Sequence, residues 1–94
     1  MPPAARKDDV CSGHGCFPAR PIIVGSGNVI INGKAAARVD DALDSHTCVS
    51  THSGMIAAGS GTVKINGKKA ARIGDAVDCG SVIAAGSGNV FIGG

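Results

Sequence analysis

The feature that most limits what this chain can fold into is a repeat that has been cut and rejoined out of order. The run Gly25-Ser26-Gly27-Asn28-Val29-Ile30-Ile31-Asn32-Gly33 returns as Gly59-Ser60-Gly61-Thr62-Val63-Lys64-Ile65-Asn66-Gly67 and again as Gly86-Ser87-Gly88-Asn89-Val90-Phe91-Ile92-Gly93-Gly94. A second half-unit, Ala-Ala-Arg followed by Asp three residues after the Arg, occurs as Ala36-Ala37-Arg38…Asp41 and Ala70-Ala71-Arg72…Asp75. Its third copy, Ala4-Ala5-Arg6…Asp9, is displaced to the start of the chain. Repeated units that cannot bury an apolar face alone do so against their neighbours. A permuted repeat closes on itself only if the ends meet, so residues 3–6 are expected to complete the hairpin that residues 90–94 begin.

Within each copy the pattern is that of a strand and a tight turn. Val29 and Ile31 share one face with Ile30 opposite, and Asn32-Gly33 is a type I′ turn signal leading into a return strand over residues 34–39. Asn66-Gly67 repeats the signal. Lys64 occupies the outward position of the second copy, which assigns the Val/Ile pairs to the interior and turns Ile30 and Phe91 outward or toward neighbouring hairpins. The Gly-Ser-Gly elements fit bends where Cβ atoms would collide near an axis. They do not make a phosphate loop: five residues, not four, separate Gly61 from Gly67, and Lys69 follows the lysine where Ser or Thr is required. Residues 10–21, rich in Gly, Pro and Cys, are expected to be loop.

The 94 residues are expected to form a single domain. With two Phe and neither Tyr nor Trp, its core must come from Val, Ile and Ala, and a domain this small usually needs a staple. No apolar signal region opens the sequence, so the four cysteines are not expected to pair as disulfides, and a metal is the better staple. Cys11 and Cys16 are assigned no role. Nine basic and seven acidic residues, spread without a basic tract or interleaved aromatics, give no nucleic-acid footprint. No apolar run is long enough to span a bilayer.

The positions after each Arg-x-x-Asp element carry the metal chemistry. Asp9 reaches His14 and Asp41 reaches His46 in five residues, and Asp75 reaches Cys79 in four. Two imidazoles and a thiol at symmetry-related positions suit zinc. A fourth ligand is expected from the loop after Asp44, where His52 is the first candidate and Cys48 its competitor.

These residues together resemble the PAAR-repeat family, the tip proteins of type VI secretion spikes and of related contractile phage tails. The name-giving element stands as Pro3-Ala4-Ala5-Arg6, with relaxed forms Ala35-Ala36-Ala37-Arg38 and Lys69-Ala70-Ala71-Arg72. Proline is missing from those two copies, and Lys7 and Asp40 are read as standing where the remaining copy has Gly74. The resemblance implies an all-β fold: three pseudo-threefold-related β-hairpin repeats forming a small zinc-stapled cone, closed by the N-terminal half-repeat. It implies Zn(2+) held by His14, His46, His52 and Cys79. It also implies a non-enzymatic role, in which one chain caps a trimeric VgrG-type spike for membrane puncture and effector delivery. Such a protein is assembled in the bacterial cytoplasm and then secreted by the apparatus. The rival readings are a zinc hydrolase, if three ligands left an open position for water, and a free-standing zinc-stabilised adaptor for another trimer or cargo. An effector extension is not expected in a chain of this length.

Overall fold

The computed structural model describes residues 2–13, 19–44, 54–78 and 80–93, together with the backbone of 46–47 and 51–52. All regular elements among them are strands of two residues. Three antiparallel hairpins stand in order: β1 (Ile30–Ile31) with β2 (Lys34–Ala35), β3 (His46–Thr47) with β4 (Thr51–His52), and β5 (Lys64–Ile65) with β6 (Lys68–Lys69). The first and last have Asn32-Gly33 and Asn66-Gly67 at positive φ at both central residues, as the type I′ signal requires.

The chain ends do meet. Pro3 bridges Phe91 antiparallel, Ala4 N–H donates to the Val90 carbonyl at 2.8 Å, and Ile92 N–H donates to the Pro2 carbonyl at 3.0 Å. The pairing Pro3–Phe91 reproduces Ile30–Ala35 and Lys64–Lys69, so the displaced half-repeat restores the third unit.

The return strands are shorter than expected because the segment after the hairpin serves its neighbours instead. Arg6 bridges Ala36, Arg38 bridges Ala70, and Ala4 bridges Arg72. At the centre Ala37 N–H donates to Ala5, Ala71 to Ala37 and Ala5 to Ala71, at 2.9–3.0 Å, a closed ring of three backbone hydrogen bonds. The three alanines are essentially inaccessible. Backbone this close to an axis leaves room for a methyl group and nothing larger.

Beyond the alanine ring lies a layer that includes residues 10–11 and 21, which belong to the stretch expected to be loop. Residues 10–11, 21–22, 42–43, 55–56, 76–77 and 82–83 bridge one another antiparallel in a closed circuit of six short segments. Val10, Cys11 and Pro21 belong to it because closure demands a partner for Ile83 on one side and Leu43 on the other, whatever the local composition favours. The outer dimensions, 37 × 23 × 23 Å, have the two equal short axes of a threefold object.

Two apolar clusters fill the axis. One holds Ala5, Ala37 and Ala71 with Cys11, Leu43 and Val77 and with Ile22, Ile56 and Ile83. Cys11 occupies the place that Leu43 and Val77 hold in the other units, two residues after the aligned aspartate, and serves as a small apolar residue there. The other cluster holds Ala4, Ala36 and Ala70 with Ile31, Ile65 and Ile92. Each buried isoleucine stabilises the fold by about 1.5–3 kcal/mol. The interior assignment thus holds fully for the isoleucines, while Val29 and Val90 are half-buried and Val63 is exposed. Ile30 (58% exposed) and Phe91 (50%) take the outward alternative.

Each first glycine of Gly-Ser-Gly meets the expected steric demand. A Cβ at Gly59 would lie 2.7 Å from the Ala70 carbonyl oxygen, and one at Gly86 2.7 Å from that of Ala4. The demand does not extend to Gly27 and Gly88, which face open space. The position equivalent to Gly74 (φ 92) also needs correction: Asp8 and Asp40 (φ 78 each) hold it, so Asp8 rather than Lys7 is the counterpart. Asp tolerates this left-handed conformation better than most residues.

Candidate metal centre

The rim of the six-segment circuit decides where the candidate ligands can go. Neighbouring segments are antiparallel all the way round, so residues 10–11, 42–43 and 76–77 run in one direction. The connections that follow them, over residues 12–20, 44–54 and 78–81, therefore leave from one end. His14, His46, His52 and Cys79 all belong to these connections.

The rim keeps the threefold register up to its last described residues. Ser12 N–H donates to the Val82 carbonyl (2.8 Å), Asp44 N–H to Pro21 (2.9 Å) and Asp78 N–H to Met55 (3.0 Å), each linking one unit to the next. Ser12, Asp44 and Asp78 are thus equivalent positions. His14 and His46 follow theirs by two residues and Cys79 by one.

The third connection is a tight turn, in which Val77 N–H donates to the Ser81 carbonyl and Gly80 N–H to that of Val77, with Gly80 at φ 102. The longest connection doubles back on itself. In β3–β4 His46 pairs with His52 and Thr47 with Thr51, so the backbone sets the two histidine positions opposite each other. Directly opposed residues of an antiparallel pair lie about 4.5–5.5 Å apart at Cα. Of the four candidate ligands, the structure brings these two positions together. His14 and Cys79 lie outside the described residues, as do Cys48 and Cys16. Three imidazoles and one thiol are donor types that suit zinc, so the residues present fit such an ion chemically.

Cys11 lies next to this rim but is committed elsewhere. It is free and buried, and its Sγ accepts a hydrogen bond from Arg20 N–H at 3.4 Å. Burial pushes the thiol up, but hydrogen bonding with the Ser81 side chain and with the backbone at Arg20 outweighs it, and the net direction is down.

Side-chain networks that spacing alone did not reveal hold the three units in register. In every unit the arginine clasps the aspartate three residues on. Arg38 Nε donates to Asp41 Oδ2 (3.0 Å), its Nη2 to Oδ1 (2.9 Å) and its backbone N–H to Oδ2 (2.8 Å), and Arg6–Asp9 and Arg72–Asp75 repeat the geometry. Hydrogen bonding to the carboxylate raises the pKa of all three guanidinium groups, against the opposing effect of burial.

The free edge of each guanidinium then reaches the turn of the next unit. Arg38 Nη1 donates to Asn66 Oδ1 (3.1 Å), Arg6 Nη1 to Asn32 Oδ1 (3.3 Å), and Arg72 Nη1 to the Gly93 carbonyl (3.3 Å). The buried serines of Gly-Ser-Gly reach the same acceptors, Ser26 to Asn66 (2.6 Å), Ser60 to the Gly93 carbonyl (2.6 Å) and Ser87 to Asn32. The available signal was the serine itself, kept in all three copies, and the turn asparagine kept in two.

The chain is thus an all-β ring of three permuted hairpin units, with its longer connections at one end. The family model described as PAAR motif matches residues 18–85, well over half of the chain. The chain belongs to the PAAR-motif family, a family of structural tip proteins associated with type VI secretion spikes rather than a family of enzymes. The matched stretch holds the two units carrying the relaxed forms, while Pro3-Ala4-Ala5-Arg6 lies before it. Comparison with curated proteins finds no match. No helix among the described residues is long and apolar enough to cross a membrane.

Proposed function

We propose that one copy of this chain caps a trimeric VgrG-type spike and sharpens it for membrane puncture and effector delivery. The observation that carries this reading is the closed alanine ring, Ala5–Ala37–Ala71, in which a single polypeptide reproduces threefold symmetry in its own backbone. A pseudo-threefold chain can offer similar contacts to three identical subunits, whereas a chain without internal symmetry would offer one.

The two ends of the ring are unequal in this respect. The hairpin end keeps its cyclic Ser and Arg contacts to the turns, while connections of three different lengths leave the other end. The hairpin end is therefore the one suited to the trimer, and the connection end is the one that points away.

In this reading His14, His46, His52 and Cys79 hold a zinc ion at the far end, with Cys48 as the competitor of His52. The ion would act as a structural staple, adding its binding free energy to folding where the strands have ended and little apolar surface remains. Export by the type VI apparatus from the bacterial cytoplasm follows from the same reading, and effector proteins are the passengers it implies.

The experiment is native mass spectrometry of the chain co-purified with a VgrG-type trimer. One chain per trimer is expected. Three chains per trimer, or no complex, would sink the proposal. Metal analysis of His14→Ala and Cys79→Ala separately tests the staple: zinc content and melting temperature should fall together.

A further inference from the structure

The charges of this chain are sorted along its axis. All seven acidic residues lie on the connection side of the alanine ring, and three of them are clasped by Arg6, Arg38 and Arg72. The hairpin segments, residues 25–35, 59–69, 86–93 and 2–3, contain no acidic residue and four lysines, Lys34, Lys64, Lys68 and Lys69. All four are exposed, and none takes part in a salt bridge within the described chain.

Two of these lysines stand where the fold gains nothing from them. Lys64 and Lys69 are direct cross-strand partners on the outer face of β5–β6, and like charges so placed destabilise a hairpin. The equivalent pairs in the other units, Ile30–Ala35 and Phe91–Pro3, carry no charge. The other two, Lys34 and Lys68, are the partners of Ile31 and Ile65, at the end of the second apolar cluster. Together the four make a basic arc that runs from the end face onto the flank of one unit.

We propose that this arc is the electrostatic half of the docking surface, and that it meets carboxylates on the end of the trimeric spike. This deepens the reading given above and rests on it. A homotrimer presents the same acidic group three times. Lys34 and Lys68 answer it in two sectors, while the third, at Pro2, is uncharged and leaves the contact there to apolar surface around Phe91. Opposed charges of this kind raise the association rate and make affinity depend on salt.

The test is calorimetric or surface-based titration of the full chain, zinc-loaded, against a purified VgrG-type trimer from the same organism. It uses the wild type and the quadruple variant Lys34→Gln, Lys64→Gln, Lys68→Gln, Lys69→Gln. The wild type should weaken by about tenfold as salt rises from about 0.1 to 0.5 M, where screening shortens to a few ångströms. The variant should bind about tenfold more weakly at the lower salt and show almost no further salt response. Its melting temperature should equal or exceed that of the wild type, since the Lys64–Lys69 repulsion is gone.

Equal affinities and equal salt responses for the two proteins would overturn the electrostatic assignment and leave the capping role standing. Failure of the wild type to bind at any salt would overturn the capping role and this inference with it. A third arm uses vesicles containing an anionic lipid. Lysine-dependent sedimentation with the vesicles, alongside unchanged binding to the trimer, would assign the arc to a membrane surface and refute the proposal.

Discussion

The replacement of Asp41 by alanine is the sharpest test of how the units are held in register. Asp41 has a side chain only 2% exposed and accepts three bonds from Arg38, whose own side chain is 13% exposed. Truncating one partner of a buried pair typically costs ~3–5 kcal/mol, because the other charge stays behind without compensation. Water reaches Arg38 in part, so the expected loss is about 3 kcal/mol, toward the lower end of that range. For a domain of this size that corresponds to a fall of about 12–24 °C in melting temperature. Asp41→Asn keeps an acceptor for the Arg38 backbone N–H and should lose about half as much. Because the chain has no Trp or Tyr, unfolding is best followed by circular dichroism in urea, on zinc-saturated protein so that metal content is constant. The same change at Asp9 and Asp75, whose side chains are 6% and 10% exposed, should cost progressively less. A loss below about 1 kcal/mol at Asp41, indistinguishable from Lys34→Ala on the surface, would refute the reasoning.

Other substitutions discriminate among the remaining contacts. Gly59→Ala should destabilise by about 1–3 kcal/mol through its clash with the Ala70 carbonyl, whereas Gly27→Ala should be neutral or slightly stabilising in the same urea titration. Cys11→Val should preserve both stability and zinc content, because valine already fills the equivalent position at Val77; a drop in zinc would show that Cys11 binds metal after all. Ile31→Ala should cost about 2–5 kcal/mol, and Ile30→Ser, one residue away on the outer face, should change the melting temperature by little. Asp40→Gly should stabilise by a few tenths of a kcal/mol by relieving the positive φ, and Asp40→Val should destabilise, since a β-branched residue is strained there.

Much of the architecture was legible because the repeat forces it. Three aligned Gly-Ser-Gly runs and a displaced Ala-Ala-Arg fix the number of units and require Pro3 to find Phe91, and Asn-Gly fixes two turns by its backbone preference alone. Interactions between units were harder to see. Nothing local to Ser26 points at Asn66, forty residues away, and the pairing becomes visible only when the units are set around an axis. Val10, Cys11 and Pro21 pair despite their loop-like composition for a related reason. Loop-like composition describes what a segment prefers when isolated, whereas an open place in a closed circuit supplies strand partners on both sides. For the candidate ligands, counting from the aspartates predicted that His14, His46 and Cys79 meet at one point on the axis. Of these, His14 and Cys79 lie outside the described residues, and the rim bonds of Ser12, Asp44 and Asp78 show that the three connections leave from one end. The His46–His52 register was not foreseen, since it depends on the connection folding back on itself.

The bond between Ile92 and Pro2 has a kinetic consequence. Its two partners are separated by nearly the whole length of the polypeptide, so the final hairpin cannot form on the ribosome before residue 92 has emerged. Until then the first residues carry unpaired backbone groups and the alanine ring lacks support on one side. Folding dominated by such distant contacts is slow. Nascent copies would therefore pass through a period with open strand edges, in which pairing with another growing copy competes with self-closure.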